Sequence, residues 1–554
     1  MSIQILPAEV VDLIAAGEVI DSLSAVVREL VENALDAGAT RISVSVLPEL
    51  WQVQVSDNGK GMTLEDLRVC AAPHSTSKIC TSEDLWNITS LGFRGEALHS
   101  ISQVADLTIC SRLSGDLETV GWRVSYHKGQ VIEEEAIAIA MGTIVTVTNL
   151  FSSLPVRRRG LPAVAQQLKT IQKLIQYIAL SHPTITWQVK QNNQPWFHIS
   201  PGVNSQHILP QFLRKVTTND LRYLREVIDG ESSLELVLGL PDRAHRYKPD
   251  WVKVAVNGRV IRNQALEQTM VAGMGRTLPR DRFPIAFLHL HLNPNQIDWN
   301  RHPAKEEIYL HDLGDWQEKV SGAIEKCLRL SNDNLPASYG DRRVKKVLKA
   351  AESSASYNFE EPAPLSDKLP EDISQIKLRA IAQVNQTYIV AEHDYGLWLI
   401  EQHIAHERIL FEQLQDQWEI VPLATPILLN NLRPAQVQQL ERLELEIEPF
   451  GEEIWAIRNA PAILASRDDC QAALIELSWG GDLETAQVAT ACRSAIKNGT
   501  PLSKEKIQEI VDRWQVTRNP RTCPHGRPIY LSLEESTLAR FFRRNWVIGK
   551  SHGI

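Results

Sequence analysis

The sequence predicts a multidomain protein of mixed α/β (α+β) class, and three observations carry this prediction. Its 554 residues are too many to fold around one hydrophobic core, and a typical domain size of about 100–200 residues predicts three or four domains. Apolar residues make up 43% and charged residues 23%, which is typical of soluble globular chains and excludes a disordered, fibrous or membrane-bundle protein. Helix-period and strand-period segments also mix through the first half of the chain.

The individual elements follow from the spacing of apolar residues. Residues 26–37 predict a helix, because their apolar side chains fall on one stripe and Gly38 follows as a C-terminal cap. Alternating patterns predict strands, and a second amphipathic stretch predicts a helix that leads into another mixed segment. The predicted strands are 42–46, 52–55 and 142–149, and the second helix is 168–180.

A shift in composition divides the chain after about residue 330. Residues 331–374 are rich in Ser, Asn, Pro and charged residues and poor in periodic apolar ones. Such a segment does not bury enough surface to offset the entropy lost on ordering. We therefore expect a flexible linker, with one short basic helix over 342–349, between a long N-terminal part and a shorter C-terminal part.

Charge and cysteine content restrict the environment of the protein. There are 58 Lys and Arg against 67 Asp and Glu, a net charge of −9, so any contact with DNA has to be local. The seven cysteines are odd in number and widely spread, which favours free thiols or a metal site in a reducing compartment. No apolar run of about 18 residues and no secretory signal is present, so we expect a cytoplasmic protein without membrane contact.

Four short motifs in a fixed order indicate a nucleotide site. Glu29, Asn33 and Asp36 share one stripe of the first helix, which by itself fits a solvated polar face better than a site. The glycines that follow allow close backbone approach, and amides at a helix start are able to hold phosphates. The phosphate-binding motif G-x-x-x-x-G-K-[ST] is absent. The four motifs are E-x-x-x-N at 29–33, D-x-G-x-G at 57–61, G-F-R-G-E-A-L at 92–98 and Gly-Thr at 142–143.

This ordered set resembles the GHKL ATPases, and further segments resemble the MutL family within that class. Those segments are LPxxVxxxIAAGEV over 6–19, VRELVENALDAGAT over 27–40, HSTSK over 74–78, VNGR over 256–259 and HPAKEE over 302–307. The resemblance spans most of the first 310 residues. The implied domains are a GHKL/Bergerat ATPase domain over 1–205, a ribosomal-S5-like transducer and DNA-contact domain over 206–330, the linker over 331–374, and a C-terminal α/β dimerisation and endonuclease domain over 375–554.

The resemblance implies a role in ATP hydrolysis for each matching residue. Glu29 would be the general base for the attacking water, and Asn33 would hold Mg²⁺ through its amide oxygen. Asp57 would accept a hydrogen bond from the adenine amino group, with Thr143 supporting the same edge. Lys305 would reach the γ-phosphate from the second domain, so that domain closure distinguishes ATP from ADP. The remaining nucleotide contacts would be Gly59, Gly61, Lys78, Gly92, Arg94 and Gly95.

A second candidate site follows the linker. His403 and Glu407 are one helical turn apart, which by itself fits a charged helix surface. Cys492 and the pair Cys523 and His525 add thiol and imidazole groups, and such a set suits a borderline-soft metal. The other five cysteines lack such neighbours and are expected to be buried apolar residues: Cys70, Cys80, Cys110, Cys327 and Cys470.

These segments resemble the endonuclease motifs of nicking MutL proteins, including a terminal F-x-R at 541–543. The resemblance implies metal-assisted phosphodiester hydrolysis supported by Mn²⁺ and/or Zn²⁺. Glu401 stands where the motif has aspartate and Ile404 where it has alanine, so a matchmaker ATPase that does not cut is the alternative. A topoisomerase ATPase subunit is disfavoured, because only about 180 residues follow the linker. The implied metal ligands are Glu401, His403, Glu407, Cys492, Cys523 and His525, with Glu401, His403 and Glu407 also catalytic.

The resemblance also implies partners. The C-terminal domains would form a constitutive homodimer, and ATP would bring the N-terminal domains together in a bacterial cytosolic, nucleoid-associated protein. The mismatch-recognition protein MutS would be a partner, and 417–422 resembles a short segment that binds a sliding clamp. Arg259 and Arg262 are local basic residues that would contact the phosphates of double-stranded DNA.

Overall fold

The structure of the protein is a computed structural model with a mixed α/β fold, as predicted. It describes residues 7–79, 81, 84, 87–93, 95–114, 120–298, 308–330, 376–394, 396–451 and 453–535. The predicted linker at 331–374 with its helix, Arg94, Lys305 with the rest of HPAKEE, and 541–543 lie outside the described residues. The chain divides into two compact units. The first is Met1–Gly239, Pro249–Val271 and Ile285–Ala323, and the second is Leu240–Lys248, Ala272–Pro284 and Ile324–Ile554.

An eight-stranded sheet organises the first part of the first unit. Its strands are β1 (Arg41–Leu47), β2 (Gln52–Asp57), β3 (Asp106–Arg112), β4 (Gly121–His127), β5 (Gln130–Ile137), β6 (Gly142–Thr148), β7 (Thr186–Gln191) and β8 (Gln194–Ile199). In space the order is β5-β4-β3-β6-β2-β1-β7-β8, and β1 pairs in parallel with β7. Val44, Val46, Val53 and Val55 are buried and alternate with more polar residues, which is the period of a strand with one covered face. The predicted strands at 42–46, 52–55 and 142–149 correspond to β1, β2 and β6.

Helices accompany this sheet. In the described residues they are α1 (Ala8–Val19), α2 (Leu23–Asp36), α3 (Leu64–Val69), α4 (Ala97–Val104), α5 (Pro155–Gly160), α6 (Val164–Ser181) and α7 (Ser205–Phe212). The apolar stripe of α2 is buried and includes Val26, Val27 and Leu30. The helix starts before residue 26 because the Ser22 side chain caps it by accepting from the Ala25 amide. The predicted helix at 168–180 lies within α6.

A second sheet completes the first unit and has the order β13-β12-β15-β10-β9. A two-stranded sheet of β16 and β17 also belongs to the first unit, whereas the two-stranded sheet of β11 and β14 belongs to the second unit. The elements are β9 (Leu221–Val227), β10 (Ser233–Gly239), β11 (His245–Arg246), β12 (Val252–Val256), β13 (Arg259–Ile261), α8 (Gln264–Gly273), β14 (Phe283–Pro284), β15 (Ala286–His291), β16 (Ile297–Asp298), β17 (Tyr309–Leu310) and α9 (Leu313–Leu328). Strands β12 and β13 form a hairpin through Asn257 and Gly258, a turn sequence that suits a two-residue connection.

The C-terminal part of the second unit contains two sheets, ordered β18-β19-β20-β24 and β21-β23-β22. Its strands are β18 (Arg379–Val384), β19 (Tyr388–His393), β20 (Gly396–Glu401), β21 (Ile420–Asn430), β22 (Ile447–Pro449), β23 (Ile454–Pro461) and β24 (Tyr530–Glu534). Its helices are α10 (Gln402–Asp416), α11 (Pro434–Arg442), α12 (Ala462–Ala465), α13 (Cys470–Leu477), α14 (Leu483–Ser494) and α15 (Lys504–Gln515). Trp398 stacks on Tyr530 at 4.3 Å and meets the Trp514 ring edge-on at 6.2 Å, which forms the centre of one core. Across the described ranges, no helix is both long and apolar enough to cross a membrane.

Candidate nucleotide and metal sites

A cavity of about 930 Å³ is lined by residues of α2, by the ends of β2 and β6, and by the segment before α4. The predicted nucleotide residues that line it are Glu29, Asn33, Asp57, Gly61, Lys78, Gly92, Gly95 and Thr143. Gly59 is not among the lining residues, and a side-chain carbon there would lie 2.8 Å from the Ala37 Cβ. Its small size therefore serves packing against the end of α2.

Helix α2 presents a polar face to this cavity. Glu29 is only 7% exposed, and Asn33 lies one turn further along the same face. The Lys78 ammonium donates to the Asn33 amide oxygen at 3.0 Å and to the Asp36 carboxylate at 2.5 Å. Lys78 therefore holds the same oxygen that was predicted to bind Mg²⁺.

Asp36 has a larger role than its position in the sequence indicated. One of its carboxylate oxygens accepts from the Leu91 amide at 2.8 Å, and the other accepts from the Gly92 amide at 2.9 Å. Together with Lys78, these contacts fasten the start of the G-F-R-G-E-A-L segment to α2. The sequence gives one indication that Asp36 belongs to the site, namely its place on the helical stripe of Glu29 and Asn33. Its partners are distant in sequence and become neighbours only in the folded chain.

Asp57 ends β2 and lies opposite Thr143 on β6. Its Oδ1 accepts from the Gly59 amide at 2.8 Å, which orients the carboxylate at the cavity wall. Burial raises the pKa of Asp57 to about 6, and the backbone amides of Gly59 and Thr143 offset part of that effect. Gly61 has φ +72°, and a side-chain carbon there would lie 2.1 Å from the Arg112 carbonyl oxygen, so this bend requires glycine.

The two arginines predicted to contact DNA differ in exposure. Arg262 follows β13 and is exposed. Arg259 is 7% exposed, its Nη2 lies 3.0 Å from Glu32 Oε2, and the same nitrogen donates to the Leu91 carbonyl. Its charge is therefore neutralised inside the protein, and the expectation that Arg259 contacts DNA phosphates is corrected.

Three of the predicted metal ligands converge in the second unit. The ligand atoms of Glu407, Cys523 and His525 all lie within 4.8 Å of one another. Glu407 is 1% exposed and Cys523 is 0% exposed. Glu407 Oε1 and His525 Nδ1 are 3.0 Å apart, yet within the described part of the chain neither atom has a partner with hydrogen-bond geometry. Buried polar atoms that converge in this way fit a shared cation.

Local structure explains why these groups meet. Glu407 lies on α10, while Cys523 and His525 lie on a tight turn in which the Gly526 amide donates to the Cys523 carbonyl at 2.8 Å. The His525 amide also donates to the Cys523 sulfur at 3.3 Å. The thiol of Cys523 and the carboxylate of Glu407 raise the pKa of His525 to about 9.

His403 and Cys492 adjoin this group. His403 Nδ1 lies 2.9 Å from the Ile496 carbonyl oxygen, so it donates there and leaves Nε2 as an acceptor nitrogen. That Nε2 is 4.0 Å from the Cys492 sulfur on α14. Burial raises the pKa of the Cys492 thiol, and the nearby Glu407 carboxylate adds to the effect. The structure thus gathers five of the six predicted ligands in one region.

Glu401, the sixth predicted ligand, serves as the N-cap of α10. Its Oε2 accepts from the Ile404 amide at 2.5 Å, and it is not part of the three-residue group. Its Oε1 is buried and has no hydrogen-bond partner in the described ranges. Ile404 packs against the core that contains Trp398, which explains an apolar residue larger than alanine at that position.

The remaining predictions concern cysteines and the clamp segment. Cys327 and Cys470 are buried as expected, whereas Cys70 and Cys110 are only half-buried, and Cys80 lies outside the described residues. All six described cysteines are free thiols. The 417–422 segment begins as a loop but enters β21 at Ile420, so its second half is a paired strand.

Comparison with known proteins identifies the family. The description "Histidine kinase-, DNA gyrase B-, and HSP90-like ATPase" matches residues 21–150, "DNA mismatch repair protein, C-terminal domain" matches 211–329, and "MutL C terminal dimerisation domain" matches 381–502. DNA mismatch repair protein MutL of Rippkaea orientalis is 59% identical over 561 residues, covering 100% of this chain and 99% of the relative. The MutL of Crocosphaera subtropica is 60% identical over 557 residues, covering 100% of this chain and 99% of that protein. A solved N-terminal domain of a DNA repair protein covers 61% of this chain and 99% of that chain, with 22% identity and a TM-score of 0.48. The chain belongs to the MutL family of DNA mismatch repair proteins, with a GHKL-type ATPase domain and a C-terminal dimerisation domain.

Proposed function

We propose that this protein couples ATP hydrolysis in its first unit to metal-dependent nicking of DNA by its second unit during mismatch repair. The observation that carries the nuclease part is the convergence of Glu407, Cys523 and His525. The ATPase part is supported by the cavity that gathers Glu29, Asn33 and other residues of the GHKL motifs.

In the ATP site, two side chains on α2 have different roles. Glu29 is a buried carboxylate at the cavity wall, which suits a base that orients and deprotonates a water. Asn33 supplies an amide oxygen for Mg²⁺, which neutralises phosphate charge when bound with ATP. Asp57 accepts from the adenine amino group, and Thr143 lies opposite Asp57 on the neighbouring strand.

Two further ATP-site assignments rest on the family resemblance. Arg94 belongs to the G-F-R-G-E-A-L segment at 92–98, called the lid segment below, and Lys305 is the group that reaches the γ-phosphate when the domains close. Both are proposed as sensors of the bound nucleotide, and closure would bring two N-terminal units together.

In the second unit, Glu407, Cys523 and His525 would hold a metal ion, with His403 and Cys492 beside them. Thiolate, imidazole and carboxylate groups are ligands that Zn²⁺ prefers, and imidazole and carboxylate also suit Mn²⁺. Such an ion supplies Lewis-acid polarisation of a phosphate and a more acidic bound water. The protein fixes the ligands: the Ile496 carbonyl orients His403, and the Cys523 turn holds its thiol beside His525.

One observation favours the non-cutting alternative. Glu401 uses one carboxylate oxygen to cap α10, and its side chain lies outside the three-residue group. A carboxylate committed to a cap is less free to orient a water or bind a second ion. A matchmaker ATPase that recruits a separate nuclease is therefore the second candidate function.

Plasmid nicking separates the two candidates. We expect the full chain with Mn²⁺ to convert supercoiled plasmid to the open-circle form, and Glu407→Ala to abolish this conversion. Cys110→Ala removes a half-buried thiol of the first unit and is the matched control, which should nick like the wild type. If neither the wild type nor Glu401→Asp nicks, the nuclease assignment fails and the matchmaker remains. In parallel, Glu29→Gln should bind ATP but lose hydrolysis.

Assembly and partners follow from the same assignment. An exposed apolar face on the β18-β19-β20-β24 sheet includes Val384, Tyr388, Leu397 and Leu531, with exposures of 42%, 42%, 37% and 60%. A patch of this kind suits a protein interface, and we assign it to the homodimer of C-terminal domains. The other proposed partners are MutS, double-stranded DNA contacted by Arg262, and a sliding clamp that binds at 417–422.

A further inference from the structure

The β12–β13 hairpin of the second sheet inserts its turn beside the ATPase domain. Val256 pairs with Arg259 across the turn, and Asn257 and Gly258 form it with φ values of 47° and 84°. Positive φ at both central residues is the geometry of a tight two-residue hairpin turn, which fixes the direction in which the next side chain leaves the strand. That next side chain is Arg259.

Arg259 connects two elements of the nucleotide site that are far apart in sequence. Its Nη2 lies 3.0 Å from Glu32 Oε2 and also donates to the Leu91 carbonyl. Glu32 is 5% exposed and Arg259 is 7% exposed, so the pair is shielded from solvent. A buried carboxylate and a buried carbonyl are therefore satisfied by one guanidinium.

Both partners are direct neighbours of nucleotide-site residues. Glu32 precedes Asn33 on α2, and Leu91 precedes Gly92 at the start of the lid segment. The Leu91 and Gly92 amides donate to Asp36 on the same helix. The start of the lid is thus held to α2 on its amide side by Asp36 and on its carbonyl side by Arg259, which comes from the second sheet.

Two histidines hold the turn itself, His289 being buried and His182 half-buried. His182, which follows α6, donates from Nε2 to the Gly258 carbonyl at 3.0 Å, and the Gly258 amide donates to His289 Nε2 at 2.9 Å. Burial lowers the pKa of both histidines, and His289 is neutral because its Nε2 accepts the Gly258 amide. His289 also lies near His291 and Glu235, but a nitrogen that already accepts the Gly258 amide requires the proton on Nδ1. The histidines therefore position the hairpin, and a metal ligand role is disfavoured.

We propose that Arg259 is a positioning residue that transmits the state of the nucleotide lid to the hairpin of the second sheet. A shift of the Leu91 carbonyl on ATP binding breaks or reorients its hydrogen bond with Arg259. Because His182 and His289 hold the turn next to Arg259, the change reaches the whole hairpin. The inference rests on the proposed ATP site. Arg259 does not line the cavity, so its loss acts on hydrolysis more than on ATP binding.

Hydrogen exchange of residues 252–261 in the full-length chain, with and without a non-hydrolysable ATP analogue, tests this coupling. We expect the analogue to change exchange in the wild type and to leave it unchanged in Arg259→Gln. We also expect kcat for ATP to fall about tenfold with KM within about threefold, because misplaced catalytic groups affect the transition state more than ground-state binding. Arg259→Lys, which keeps the charge, should recover part of both signals.

Arg225→Gln is the matched control, because Arg225 pairs with Glu235 in the same sheet and its side chain is 61% exposed. It should respond like the wild type. If Arg259→Gln does not fold, Glu32→Gln keeps the shape of the partner and should give the same loss of response. If Arg259→Gln or Glu32→Gln shows the wild-type change in hydrogen exchange, the inference is wrong but the proposed ATP site is unaffected. Failure of the wild type to bind the analogue overturns the proposed ATP site and the inference with it.

Discussion

Asp57 gives the ATP site a pH dependence that can be calculated from the structure. Burial raises its pKa to about 6, and the function proposed above makes this cavity-lining carboxylate the acceptor for the adenine amino group. With that pKa, about 97% of the carboxyl groups are ionised at pH 7.5 and about 24% at pH 5.5. If the ionised form binds adenine, the Kd of an ATP analogue rises about fourfold over this range.

Protonation of Asp57 has opposite effects on the folding stability and on the affinity for ATP. A folded-state pKa above the unfolded value means that Asp57 contributes stability at low pH, which is lost as the pH rises through about 6. ATP binding favours the ionised carboxylate, so affinity falls as the pH falls through the same value. The free protein and the complex therefore respond to acid in opposite directions at this residue.

Calorimetric titration of the analogue at several pH values measures the effect, with Asp57→Asn as the reference. The amide does not titrate, so the pH dependence that remains in Asp57→Asn reports protonation of the nucleotide phosphates and of other groups. We expect the ratio of the wild-type Kd to the variant Kd to rise about fourfold from pH 7.5 to pH 5.5. Identical pH profiles for the two proteins would refute the role of Asp57.

Three further predictions concern the lid, the second core and the dimer. Asp36→Asn weakens the attachment of Lys78 and of the lid start and should lower kcat for ATP about tenfold. The control Asp220→Asn alters a half-buried carboxylate that does not line the cavity and should leave kcat unchanged, and equal rates for the two variants would contradict the role given to Asp36. Trp398→Ala removes a ring that is 1% exposed and should destabilise the second unit by about 3–5 kcal/mol in denaturant unfolding, and a loss below about 1 kcal/mol would show that the ring is not central to that core. Leu531→Glu should raise the dimer dissociation constant about 30-fold in analytical ultracentrifugation, whereas Leu50→Glu in the first unit should not, and an unchanged dimer would place the interface elsewhere.

Eight of the residues predicted for the nucleotide site line one cavity, whereas Gly59 does not, and Arg94 and Lys305 lie outside the described residues. Helical spacing predicts that Glu29 and Asn33 share one face of α2, while the roles given to Asp57 and Thr143 rest on the resemblance to the GHKL ATPases. Asp36 lies on the same helical stripe as Glu29 and Asn33, but its partners Leu91 and Gly92 are brought to it only by tertiary folding.

Charge pairing over long sequence distance was not predictable. Arg259 looked like a basic surface residue, because its partner Glu32 is 227 residues away in the chain. Glu401 likewise matched a metal-binding position, and its use as a helix cap depends on the strand-to-helix junction that follows β20. In both cases, the tertiary structure decides which groups the side chain contacts.

The metal site proposed for the second unit is tested most directly by titration with Co²⁺, whose bonds to thiolates give a characteristic absorption band. We predict that this band appears at one ion per chain in the wild type and in Cys110→Ala, and that it is lost in Cys523→Ala. The buried Cys523 thiol lies among the ligand atoms of the group, whereas Cys110 lies in the first unit. Absence of the band in the wild type, or its persistence in Cys523→Ala, would contradict a metal site formed by Glu407, Cys523 and His525.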